Sequence, residues 1–228
     1  MLPKIRQTDM WLSFGLAFVG GYGDAASFVL AKTFTGHVTG NLVLGAIAVA
    51  AHDWRATLGH LSAIVTFLIG ILLSTLIVRP LKAWPLLRTI MGIEVILIVA
   101  ASLAFGSGVA SRVEIFVIFV SLALGLQNGA FRHVSGISVH TTYLTGMITS
   151  LISTEAEKYA SEVIPPPVRA PDPKIGLLCR IWIAFVCGAG IGAVMVFHFR
   201  GFGILGAAVL LLTLILSTAK GSTLVLTA

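Results

Sequence analysis

Phe34-Thr35-Gly36-His37-Val38-Thr39-Gly40-Asn41, running into the apolar stretch Leu42 to Ala51, is the part of the chain on which the fold turns. From Val38 to Ala51 the sequence is apolar but short. A run of about 10–14 residues suits a re-entrant or interfacial segment better than a crossing, which needs about 20. The stretch has an echo: His140-Thr141-Thr142-Tyr143-Leu144-Thr145-Gly146 leads into a second short run, Leu144 to Ser153. Both are expected to be half-helices that enter and leave on one face of a bilayer.

The bilayer follows from composition. Of 228 residues, 57% are hydrophobic and only 11% are charged, and the mean hydropathy is +1.01. A soluble domain wets its surface with about 25% charged residues. This chain has too few, which excludes a secreted disulfide scaffold, a nucleic-acid-binding domain and an ordinary cytosolic enzyme. The net charge of +6 comes from basic residues lying mostly between apolar runs, which is how a membrane protein sets its orientation. Cys179 and Cys187 share one run; on a helix they stand about 12 Å apart along the axis, too far for a bridge.

Six runs have the length of a crossing: Trp11 to Ala31, Leu61 to Val78, Thr89 to Phe105, Val113 to Phe131, Ile181 to Phe199 and Gly203 to Ala219. The first follows Lys4 and Arg6 as a signal peptide would, but it is too long for one and is interrupted by Gly20-Gly21-Tyr22-Gly23-Asp24, so it is read as retained. With six crossings and a cytoplasmic N-terminus, the inside set is Lys4, Arg6, Arg79, Lys82, Arg88, Arg132, Lys158, Arg169, Lys174, Arg180 and Lys220. Only Lys32, Arg55, Arg112 and Arg200 stay outside, 11 against 4. Counting both short runs as crossings gives 9 against 6. The positive-inside rule therefore favours six transmembrane helices plus two re-entrant half-helices over eight helices. Five of the eight prolines fall in residues 162–174, read as a cytoplasmic linker within a single transmembrane domain.

Aligning Phe34–Asn41 with His140–Met147 pairs Thr35 with Thr141, Thr39 with Thr145 and Gly40 with Gly146. Upstream of each lies a polar group late in a long apolar run, Asp24 in one half and Gln127-Asn128 in the other. The halves, about 11–105 and 113–219, read as a two-fold repeat. With three crossings in each, the second half is inverted, an architecture that places sites near the midplane where discontinuous helices meet. With four in each, the repeats are parallel.

Gly21-Tyr22-Gly23-Asp24-Ala25, Thr39-Gly40-Asn41 before its apolar run, Gln127-Asn128 and Thr142-Tyr143-Leu144-Thr145-Gly146 together resemble the YoaK-like family of small bacterial membrane proteins. The likeness extends from about Trp11 to Ala219. Met147 departs from it, standing where a polar residue would complete the symmetry with Asn41. The resemblance implies a multispanning inner-membrane protein and brings no substrate with it.

The residues themselves suggest a role. A carboxylate inside an apolar span is costly and by default marks function; Asp24 and Glu94 are the two, while Glu114 sits at a span end. Burial would let Asp24 or Glu94 exchange protons. The first N–H groups of a helix lack internal partners and carry partial positive charge, so Thr39-Gly40-Asn41 and Thr145-Gly146 are candidate cradles for an anionic or polar group, with Thr39 or Asn41 as caps. Gln127 and Asn128 both donate and accept, which suits a polar solute or bonding between helices. Gly36/Gly40, Gly125/Gly129 and Gly188/Gly192 have close-packing spacing, and Trp11, Trp54, Trp84 and Trp182 read as interface anchors. The histidines lack metal-ligand spacing and no nucleophile or phosphate-loop motif occurs, so neither metal, cofactor nor enzymatic activity is expected. The expected device is a transporter or channel for a small polar or anionic solute, proton-coupled through Asp24 or Glu94. Its partners are the lipid bilayer and a small-molecule solute, with no nucleic acid, and a homo-oligomer is compatible. The rival is a membrane scaffold or assembly factor, or an enzyme on a lipid-soluble substrate.

Overall fold

The computed structural model describes residues 7–78, 83–106, 112–131, 133–134, 137–138, 149, 152 and 173–217. Its helices are α1 (Gln7–Ala31), α2 (Val38–Ala50), α3 (Trp54–Val78), α4 (Ala83–Gly106), α5 (Arg112–Ala130), α6 (Pro173–Phe199) and α7 (Leu205–Ser217), with a 3-10 turn, Arg200–Ile204, between the last two. One departure from the all-α expectation is a two-residue antiparallel ladder, β1 (His133–Val134) with β2 (Ile137–Ser138). Five helical stretches are long and apolar enough to cross a membrane: Met10–Ala31, Trp54–Leu76, Leu87–Phe105, Val113–Ala130 and the 42-residue Gly176–Ser217. The chain is thus a multi-pass membrane protein in contact with lipid. Apart from Thr149 and Ile152, the second short run, with Thr145 and Gly146, lies outside the described residues, as does most of the proline-rich linker.

Several boundaries differ from expectation for local reasons. α1 runs unbroken through Gly20–Gly23, because Gly21 is needed for close contact rather than for a bend. α3 begins seven residues early, at Trp54, since the Asp53 carboxylate accepts from the Ala56 N–H at 3.0 Å and its carbonyl from the Thr57 N–H. α6 begins at Pro173, a residue well suited to a first turn that has no use for its N–H. Lys32 directly after α1, His52 two residues after α2 and Arg200 directly after α6 are in the left-handed region, with φ of 53°, 58° and 51°; such residues end a helix while their N–H groups still reach its last carbonyls, as Lys32 does at Phe28 and His52 at Val49.

Helix directions can be read from contacts. Gln127 on α5 donates to the Leu16 carbonyl of α1 and Leu124 packs on Gly23, so α1 and α5 are antiparallel. Gly125 and Gly129 meet the backbone of Phe67 and Ile71, and Arg55 bonds Glu114 at 2.9 Å where both helices start, so α3 and α5 are parallel. Gly188 and Gly192 meet the backbone of Phe18 and Tyr22, making α1 and α6 parallel. At the 3-10 turn the chain reverses: Gly203 packs back on Met195, and α7 runs antiparallel to α1, with Gly206 at Tyr22 and Leu214 at Gly15. The Gly125/Gly129 and Gly188/Gly192 pairs are therefore contact surfaces between helices, whereas the nearest neighbours of Gly40 in the third pair are Phe34 and His37 of its own loop.

These directions put the start of α1, the end of α3 and the start of α4 at one end of the bundle. Lys32, Arg55, Arg112 and Arg200 sit on elements that meet at the other. The core lies between α1, α4, α5, α6 and α7, where Leu16, Ile90, Phe116, Leu124, Ile181 and Leu211 are almost fully buried. The outward faces stay apolar, as Leu61, Leu68, Leu72 and Leu76 of α3 show. Hydroxyls on these spans turn back onto their own helix: Thr66 to Ser62, Thr75 to Ile71 and Thr213 to Leu210 carbonyls. Each donor is thereby satisfied where water is absent.

Candidate re-entrant polar site

Asp24 is 3% exposed and lies seven residues before the end of α1, about 10 Å inside that end. After α1 stops, residues 32–37 fold back along it. The Thr35 and Gly36 N–H groups donate to Asp24 Oδ1 at 2.9 and 2.6 Å. His37 Nδ1 closes on Asp24 Oδ2 at 2.5 Å. The Thr35 hydroxyl adds a longer bond to Oδ1, 3.4 Å, and lies 3.2 Å from Ser27 Oγ. The carboxylate thus satisfies backbone donors that the returning loop would otherwise carry unpaired at depth.

Asn41 makes the second fastening. Its side-chain oxygen accepts from the Phe34 N–H at 3.1 Å, and its amide donates to the Phe34 carbonyl at 2.6 Å. This pair closes the loop onto the first turn of α2. His60 Nδ1 of α3 lies 3.3 Å from the same Asn41 oxygen. Because His60 is six residues into α3, the first turn of α2 sits about 9 Å below the start of that helix. α2 has 13 residues, about 20 Å, and returns to the end from which its loop descended.

His37 is the N-cap of α2, with no side-chain capping bond. Thr39 is exposed and Asn41 is committed to Phe34, so neither is the cap that residue type suggested. Phe34 stacks on Phe28 at 4.6 Å, and the His37 ring stands edge-on to Phe185 of α6 at 5.8 Å. With 31% of its side chain exposed, His37 is the titratable group through which the site meets its surroundings. Its hydrogen bond to Asp24, helped by the carboxylate's charge, holds the imidazolium above its ordinary range against the opposing effect of burial.

The remaining expected residues lie elsewhere. Gln127 is fully buried and bonds the Leu16 carbonyl at 3.0 Å; Asn128 donates to Leu124 of its own helix at 3.1 Å. Leu16 is eight residues from Asp24, so the carbonyl that Gln127 bonds belongs to a residue about 12 Å from Asp24 along α1, whereas Asn128 is held by Leu124, whose side chain packs on Gly23. Glu94 on α4 is fully buried, and neither carboxylate oxygen has a hydrogen-bond partner among the described residues.

His37, Ser27 and His60 were not singled out from the sequence as site residues. The available signal was spacing: a polar Thr-Gly-His triplet 11 to 13 residues after an intramembrane Asp.

With this geometry in view, comparison with known families is decisive. A family model described as "Protein of unknown function (DUF1275)" matches residues 12–218. The chain belongs to this family. It is 30% identical over 142 residues to "UPF0700 transmembrane protein YoaK" of Bacillus subtilis (strain 168), an alignment covering 60% of the chain and 63% of that relative. The chain therefore spans less than two thirds of that relative. No solved structure matches the chain. The family match takes in Asp24, Asn41, Glu94, Gln127 and Asn128, so the loop and its fastenings lie within the matched region of this DUF1275 member.

Proposed function

We propose that this DUF1275 protein is a transporter or channel for a small polar or anionic solute, in a bacterial inner membrane with its N-terminus cytoplasmic. The observation that carries this reading is the Asp24-anchored loop, which starts the short helix α2 about 10 Å inside the end of α1. Backbone that turns at this depth is tolerated where it is enclosed by protein or lines a water-filled cavity. The first turn of α2 then offers N–H groups at Thr39 and Gly40 to a solute, with His37 beside them.

In this reading the chain crosses six times, residues 38–50 are re-entrant, and the half about 113–219 is inverted relative to the half about 11–105. Supporting it, α1 and α5 are antiparallel, and each runs parallel through close glycine contacts to the second crossing of the opposite half, α1 to α6 and α5 to α3. Asp24 and Asn128 are equivalent under this symmetry, as are Gly21 and Gly125. Thr145 and Gly146 would supply the second half-site. Protons would exchange at the Asp24–His37 pair, with Glu94 as the second group. The scaffold alternative draws on a specific observation: Asp24, Asn41, Gln127 and Asn128 all bond within the protein.

Proteoliposomes exposed to steps of formate, nitrate, urea or glycerol test the proposal by light scattering. At least one solute should re-swell the vesicles faster than protein-free liposomes, and Thr39→Leu, an exposed change that leaves the loop's bonds intact, should slow it. Swelling no faster than lipid alone for every solute would overturn transport in favour of the scaffold.

A further inference from the structure

On the side of the bundle away from α2 and α3, a cavity of about 850 Å³ opens between α1, α6 and α7. Its walls are three helix stripes: Trp11, Phe14 and Phe18; Ile191 and Met195; Leu210 and Leu214 are typical. From Trp11 to Tyr22 it runs about 16 Å, close to one leaflet of a hydrocarbon core about 30 Å thick. Its two hydroxyls are already used: Tyr22 donates to the Gly203 carbonyl and Ser217 to that of Leu214. Nothing polar inside seeks a polar ligand.

The end near Trp11 differs. Arg180 is exposed and lies one turn before Ala184, which lines the cavity, so both share one face of α6. Among the described residues its guanidinium has one hydrogen-bond partner, the Met10 sulfur at 3.4 Å, a weak acceptor. Trp11, 66% exposed, flanks it at the depth where tryptophans meet headgroups. A planar cation bonded, among the described residues, only to a thioether, and set above an apolar slot one leaflet deep, matches a phosphate joined to a fatty chain.

We propose that this groove binds an anionic phospholipid of the leaflet on the N-terminal side, its phosphate on Arg180 and an acyl chain between α1, α6 and α7. The site is separate from the Asp24 loop and stands whether or not the protein transports a solute.

Native mass spectrometry of the full chain, released from nanodiscs of equal phosphatidylglycerol and phosphatidylethanolamine, tests it. The protein should retain phosphatidylglycerol about fivefold over phosphatidylethanolamine, the preference expected of one well-placed cation. Arg180→Gln should abolish the preference and Arg180→Lys should keep most of it. Ala184→Trp, checked for an unchanged melting temperature, should lower retention of both lipids by filling the slot. Equal retention by the unaltered chain, an undiminished preference in Arg180→Gln, unchanged retention in folded Ala184→Trp, or a lipid-free dimer would each overturn the proposal.

Discussion

Asp24 shows how one carboxylate can serve as a fastening at membrane depth. It accepts from two consecutive backbone N–H groups and from His37, so its removal leaves buried donors unpaired and an imidazolium without its partner. Asp24→Ala is expected to lower stability by about 3 kcal/mol, seen as a lower melting temperature in detergent and faster amide exchange over residues 33–41. Asp24→Asn keeps an oxygen for the Thr35 and Gly36 N–H groups and should lose roughly half as much. The pair also sets a pH dependence. His37 is held above its ordinary value near 6.5; a group whose pKa is raised on folding contributes its full stabilisation below the unfolded value and loses it as pH rises through the folded one. Loop protection should therefore be greatest in mildly acidic buffer and decline as pH climbs from neutral, and His37→Gln should flatten the profile. A profile unchanged by that substitution would separate the loop's stability from the pair.

At the scale of elements, helix pairing depends on glycines that allow backbone contact. A Cβ on Gly125 would stand 2.2 Å from the Phe67 carbonyl oxygen, and one on Gly188 2.1 Å from that of Phe18. Neither neighbour can yield without separating the helices. Gly125→Ala should cost about 1–3 kcal/mol, whereas Gly190→Ala, which meets nothing within 4 Å, should gain up to about 1 kcal/mol from helix propensity. Thermal unfolding of the two variants in one detergent checks the contrast. Sequence spacing identified Gly125/Gly129 and Gly188/Gly192 as contact surfaces. It misread Gly36/Gly40, because the same spacing occurs where a loop, rather than a helix, carries the first glycine.

For the whole molecule, the proposed six-crossing topology would put the α3–α4 connection on the side of the N-terminus and the start of α3 on the other. A single cysteine at position 55 should react with an impermeant maleimide in intact cells, and one at position 84 only after permeabilisation, in a background lacking Cys179 and Cys187. Labelling of position 84 from outside would instead require eight crossings. The membrane class, the long apolar helices and the shortness of residues 38–50 were legible in the sequence because hydrophobic length and scarcity of charge act locally, through the cost of exposing backbone and apolar surface to the wrong solvent. The singling out of Asp24 and Asn41 was legible for the same reason, since a polar group in an apolar run must find a partner. Which partner it finds is not a local property. The return of residues 35–37 onto Asp24, the bond of Asn41 to Phe34, and the bond of Gln127 to Leu16 rather than to Asp24 depend on helix direction and on how closely glycine faces approach. Those were decided only in the folded chain, where packing fixes which distant donors and acceptors come within reach.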